Sequence, residues 1–192
     1  MDHPIAGLLL AAGAGTRMGE PKALVTFGGE SLLDRGLRLL REGGCRPVVV
    51  VTGAADVQPL GAVVVHNPDW RTGMGSSLRT GLAALPPESR AVVVGLVDQP
   101  LVGAEAVRRL ARAWEDGAEV AVATYGGRRR NPVLLAREHW PAVAELAEGD
   151  VGARAFLQAH PELVTEVPAD GTGSPDDVDT PEDLARIETE HG

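Results

Sequence analysis

Lysine is nearly missing from this chain: Lys22 is the single one among 18 Lys and Arg residues. Cysteine is equally scarce, with Cys45 alone, so no intrachain disulfide can form and a reducing compartment is expected. Aromatic residues make up 3% of the chain, which leaves the core to Val, Leu and Ala. No apolar run approaches the roughly 18 residues of a membrane span. The opening MDHPIAG lacks the basic flank of a signal peptide, so a cytoplasmic location without a membrane partner is expected. Basic charge is also short. A net charge of −9 argues against nucleic-acid binding, which needs a basic stripe with stacking rings. The run Arg128–Arg130 is too short to reverse that.

What is present is 192 residues of 44% hydrophobic content, enough for one domain spanning 1–192 with a substantial core. Continuous apolar runs bounded by Gly, Pro or Asn predict buried strands at 5–12, 47–53, 61–67, 91–100, 118–125, 131–137 and 162–168. Helical periodicity predicts helices at 31–44, 76–85, 103–117, 139–147, 151–159 and 180–190. Ser31 is the expected N-cap of the first helix and Gly43 its stop. Ser76 and Ser77 are expected to cap the second, and Pro181 falls in the first turn of the last. The alternation gives an α/β fold: three layers, a mainly parallel sheet with helices on both faces. One gap is irregular. About eight residues separate the second and third strands, short for a parallel crossover, so the connection is stunted or the pair is antiparallel.

The stretch LLLAAGAGTRMGEPKALV (8–25) leaves the first strand through Gly13, Gly15 and Gly19, with Arg17 and Lys22 among them. A Gly-X-Gly pair alone serves a plain turn equally well. At the carboxyl end of a parallel strand, however, a glycine-rich loop can turn its N–H groups toward phosphates. A Walker loop would need Gly-Lys-Ser/Thr, which is absent. A dinucleotide fingerprint would need its glycines in a tight turn running straight into a helix, and here the first clear helix waits until residue 31. A long loop with two cations suits a nucleoside triphosphate, with Arg17 and Lys22 neutralising its phosphates.

At LAAGAGTRMGEPKAL the chain resembles the molybdopterin nucleotidyltransferase family. NPDWRTGMGSSLRTGL (67–82), VDQP (97–100), RRRNPVLL (128–135), EGDVGARAFL (148–157) and DVDTPEDL (177–184) extend the match in order over nearly the whole chain. The resemblance implies a Rossmann-like nucleotidyltransferase fold and transfer of a nucleotide from a triphosphate to a phosphorylated acceptor. It gives catalytic roles to Lys22, Arg17 and Asp98. Nucleotide contacts fall on Leu10, Ala11, Ala12, Gly13, Lys22, Thr52, Asn67, Ser77 and Asp98. The implied cofactor is Mg²⁺ on Asp98 and, by position, Asp179, with Asp177 the weaker candidate. Leu10-Ala11-Ala12-Gly13 and Pro21-Lys22 are similar to the cytidylyl branch, which implies CTP as donor and a molybdopterin-type acceptor. A molybdoenzyme or its chaperone would receive the product. A methyl at position 12 would crowd a purine and leave room for a pyrimidine. Arg128–Arg130 and Arg154 are candidates for the acceptor's phosphate, although Arg128 and Arg129 serve a solvated turn equally well. His66 and His139 have no metal partner at a suitable spacing and are read as structural.

Overall fold

The computed structural model describes residues 4–191. Chain order is β1 (Ile5–Leu10), a short hairpin of β2 (Thr26–Phe27) and β3 (Glu30–Ser31), α1 (Leu32–Glu42), β4 (Val48–Thr52), β5 (Val63–His66) and α2 (Met74–Ala84). There follow β6 (Ala91–Leu96), α3 (Ala104–Glu115), β7 (Val120–Tyr125), β8 (Arg128–Ala136), α4 (Trp140–Leu146), α5 (Arg154–Ala159), β9 (Val164–Pro168) and α6 (Pro181–His191). Seven strands form one sheet in the order β5-β4-β1-β6-β8-β7-β9. Both pairs made by β8 are antiparallel and the others are parallel.

Two apolar layers explain why the central strands read as unbroken Val and Leu runs. Successive side chains of a strand point to opposite faces, and here both faces are covered. Leu9, Val50 and Val93 join Leu37 of α1, Leu110 of α3 and Ile187 of α6 in one cluster. Leu8, Val49 and Val94 join Leu78 of α2, Val143 of α4 and Phe156 of α5 in the other. Ser31 caps α1, its hydroxyl accepting from the Asp34 amide at 3.0 Å. Among the described residues no helix is long and apolar enough to cross a membrane.

Three local expectations are corrected or resolved. The β4–β5 pair is parallel, joined by an irregular stretch over 53–62 without a helix, so the connection is stunted rather than reversed. Arg128–Arg130 are not a turn but the start of β8. Gly126 and Gly127, with φ of 58° and 75°, take the left-handed positions of the turn themselves, which pairs Arg128 with Tyr125 and Arg129 with Thr124. Ser76 and Ser77 do not cap α2, because that helix begins earlier, with Gly73 at its N-cap.

Candidate active site

The carboxyl ends of β1 and β6 open onto a cleft of about 440 Å³. Its floor is the loop after β1, and its shape depends on Gly15. That residue sits at φ 63°, and a Cβ there would stand 1.9 Å from the Glu20 carbonyl oxygen. The fold of the loop back on itself therefore requires glycine. Among the described residues, no backbone acceptor meets the amides of residues 12–17. A run of unpaired N–H groups beside a cleft is the raw material of an anion site. Arg17 is exposed at the cleft wall.

Lys22 projects from the far end of the same loop. Its amide reaches back to the Gly13 carbonyl, and its Nζ lies 3.0 Å from Asp98 Oδ2 and also donates to Asp179 Oδ1. The fold thus brings together three residues separated by up to 157 positions in the chain. Burial by itself would lower the Lys22 pKa, but the two carboxylates outweigh it and hold the ammonium above its ordinary value. Asp98 is shifted upward, because burial and the neighbouring Asp177 and Asp179 together outweigh the pull of Lys22. Asp98 follows the end of β6 without being open to solvent. Only 20% of its side chain is exposed, because the segment before α6 is laid over it, with the Val178 amide donating to the Asp98 carbonyl at 2.8 Å.

That segment also separates the roles of the two late acids. Asp177 accepts from the side-chain amide of buried Gln99 at 2.9 Å, and Arg130 lies 3.8 Å from it. Asp179, two residues on, faces Lys22 and lines the cleft. Asp183 holds the turn between segment and helix by accepting from the Asp179 and Thr180 amides. Asp98 and Asp179 form an all-oxygen, doubly charged donor pair that already holds one cation between them. Such a pair fits a hard divalent metal, which takes one or two carboxylates and completes its shell with substrate oxygens.

The other sequence candidates divide. Leu10, Ala12, Gly13 and Ser77 line the cleft with Lys22 and Asp98. Ala11, Thr52 and Asn67 are buried behind the wall. The Ala11 amide is bonded to Val51, and the Asn67 side chain donates to the hydroxyls of Ser76 and Ser77 at 2.8 and 3.0 Å. Asn67 therefore sets the start of α2 from beneath. Trp70, Arg71 and Asp150 line the cleft without having been singled out by sequence. The signal was an aromatic–cation pair in the motif at 67–82: the Arg71 guanidinium stacks 4.4 Å over the Trp70 ring. Gly53 lets that ring approach, since a Cβ there would meet both Trp70 and Ala12 within 3 Å.

A second cavity of about 340 Å³ shares Met74, Leu96 and Asp150 with the first, and Arg129, Arg130 and Arg154 line it. Arg129 is bonded to Glu166 and Arg130 to the Pro175 carbonyl, whereas Arg128 lies outside both cavities. His139 acquires a partner the sequence did not suggest. Its Nε2 lies 2.8 Å from Glu119 and 3.7 Å from Glu138, before β7 and after β8, at the opposite end of the sheet from the cleft.

Comparison with known proteins bears on the family and the fold. Over 95% of this chain and 96% of the relative, the sequence is 37% identical to nicotine blue oxidoreductase of Paenarthrobacter nicotinovorans. It is 36% identical to a molybdenum cofactor guanylyltransferase of Rhizobium johnstonii, over 85% of this chain and 78% of that one. The crystal structure of Rv0371c from Mycobacterium tuberculosis H37Rv superposes with a TM-score of 0.85 and 28% identity, over 98% of this chain and 100% of that one. A manganese complex of Rv0371c gives 0.81 and 29%, over 96% and 98%. The family model described as the MobA-like NTP transferase domain matches residues 7–164. By that match, its fold and its relatives, the chain belongs to the MobA-like NTP transferase domain family and is a nucleotidyltransferase.

Proposed function

We propose that this enzyme transfers CMP from CTP to the terminal phosphate of a molybdopterin-type acceptor, releasing pyrophosphate in the cytoplasm. One observation carries the reading. Lys22 and the acids Asp98 and Asp179 meet in a cleft lined by a glycine loop whose amides at 12–17 have no backbone acceptor among the described residues. The acceptor oxygen attacks the α-phosphorus in line, the bond to the β-phosphate oxygen breaks, and its electron pair leaves with pyrophosphate. Such transfer depends on positioning and charge stabilisation more than on a general base. The loop amides and Arg17 hold the triphosphate, and Lys22 meets the charge that builds on the leaving group. Asp98 and Asp179 would hold a divalent cation, expected to be Mg²⁺, which neutralises phosphate charge when bound. The manganese complex of Rv0371c supports a divalent metal. The second cavity, amphipathic and rimmed by Arg129, Arg130 and Arg154, suits a flat heterocycle with a phosphate tail.

The choice of cytosine rests on the Ala12 methyl at the cleft wall, proposed to crowd a purine, and on the likeness of the loop to the cytidylyl branch. Pyrophosphate release from each of the four triphosphates, with and without molybdopterin, tests it. Release from CTP that depends on the acceptor supports the proposal. A preference for GTP overturns the base assignment and leaves a guanylyl transferase, the activity named for the Rhizobium relative. The similarity to nicotine blue oxidoreductase carries a second reading, a redox enzyme on this fold. It predicts no pyrophosphate from any triphosphate.

A further inference from the structure

We propose that Lys22 has a second role, as an internal cation that occupies the metal site of the free enzyme and yields it only when a triphosphate arrives, so that metal and nucleotide load together. The inference rests on the reading of Asp98 and Asp179 as the metal carboxylates, and adds how they are filled. The Lys22 ammonium touches both acids, and its side chain is only 18% exposed against 20% and 33% for theirs. Among the described residues no other side chain of positive charge pairs with these two carboxylates. Arg130, on β8, instead reaches the covering segment at Asp177 and at the Pro175 carbonyl. A divalent ion needs the same carboxylate oxygens. At contact distances an ammonium and a dication repel each other, and a partly buried site screens that repulsion less than water does. Free metal therefore has to displace Lys22 into a cleft that, among the described residues, offers the ammonium no other carboxylate except exposed Asp150.

A bound triphosphate changes the balance. It supplies the ammonium with phosphate oxygens in the same cleft, lined jointly by Lys22, Arg17 and residues 12–16 of the loop, and it supplies the metal with additional oxygen ligands. The exchange asks only for rotation of a flexible four-carbon stem, and on the Gly13 side that stem is open, since even a Cβ built on Gly13 would stand at an ordinary contact distance of 3.8 Å from the Lys22 Cδ. One consequence is that the two carboxylates never face each other without a counter-charge in either state. Another is that the free enzyme discriminates against a bare dication and favours the metal–nucleotide complex.

The test measures binding, not turnover. Mn²⁺ is titrated against the full chain, with free Mn²⁺ read by electron paramagnetic resonance, in wild type, Lys22→Met and Lys22→Met/Asp98→Asn, with and without the non-transferable analogue α,β-methylene-CTP. We expect Lys22→Met to bind Mn²⁺ alone at least about tenfold more tightly than wild type. The analogue should shrink that difference, and Asp98→Asn should abolish the gain. A second measurement needs no variant, because Lys22 is the only lysine in the chain. Labelling with ε-¹³C lysine gives one resonance, which should move with Mg²⁺ and analogue together and stay in place with Mg²⁺ alone at the same concentration. Equal or weaker Mn²⁺ binding in Lys22→Met, or a resonance that moves fully with Mg²⁺ alone, overturns the exchange. If Asp98→Asn still weakens Mn²⁺ binding in the presence of the analogue, the metal site itself survives that result. If Asp98→Asn changes Mn²⁺ binding in no state, both the exchange and the metal reading fall.

Discussion

Replacing Lys22 by alanine removes the charge proposed to meet the departing pyrophosphate, and the structure bounds the effect. The ammonium now sits 3.0 Å from an oxyanion, Asp98 Oδ2. A phosphate oxygen held at the same distance would be worth about 1.4 kcal/mol in bulk water and about 5.5 kcal/mol at an effective dielectric constant of about 20. With each factor of ten in rate costing about 1.4 kcal/mol, these limits span about tenfold to about 10⁴-fold. A side chain only 18% exposed lies between them, so a loss on the order of 10²- to 10³-fold is expected, in the range seen for preorganised charges at other active sites. The loss should fall mainly on kcat, because charge on the leaving oxygen is greatest in the transition state. Lys22→Arg should recover only part, since a wider planar fork does not replace a compact point charge at the leaving phosphate. Steady-state kinetics with varied CTP decide the matter, after a thermal melt shows that both variants remain folded. A kcat within a factor of about two of wild type in Lys22→Ala, about 0.4 kcal/mol of barrier, would refute the assignment.

Other substitutions test the site from different sides. Asp98→Asn and Asp179→Asn should both retain a cooperative melt and lose activity, Asp98→Asn the more heavily because it is the more buried acid; equal activity to wild type at saturating metal would remove either residue from the mechanism. Gln99→Leu should raise the metal concentration needed for half-maximal activity several-fold while changing saturated kcat less, because it frees Asp177 and loosens the segment that aims Asp179; an unchanged metal titration would show that the backbone contact of Val178 suffices. Cys45 is 1% exposed and its thiol is pushed up to about 12 by burial. Its folded-state pKa is raised, so the thiolate form is suppressed up to strongly alkaline pH. A disulfide reagent at pH 8 should therefore label it only at the rate of unfolding, and rapid labelling of native protein would contradict the burial.

The order of strands and helices was legible in the sequence because burial on both faces leaves uninterrupted runs such as Ala91–Leu96, while helices keep an apolar stripe. The glycine loop and its two cations were legible for a similar reason: the physical demand is local, and Gly15 answers to a carbonyl only five residues away. Three-dimensional pairing was not legible in the same way. Nothing local says that Lys22 finds Asp98 and Asp179 across 76 and 157 positions, or that Gln99 and Arg130 draw Asp177 aside and leave Asp179 facing the cleft. The Arg run illustrates the boundary between the two. Its composition suits a solvated turn, yet two glycines before it can adopt left-handed backbone, so strand pairing takes the arginines and sets two of them along the second cavity. Sequence determined which groups the chain carries and which segments are strand, helix or loop, since those depend on neighbours a few residues away. The sheet order β4-β1-β6 and the segment laid over Asp98 decided which of those groups share a cleft, because contacts between distant residues exist only once the layers have packed.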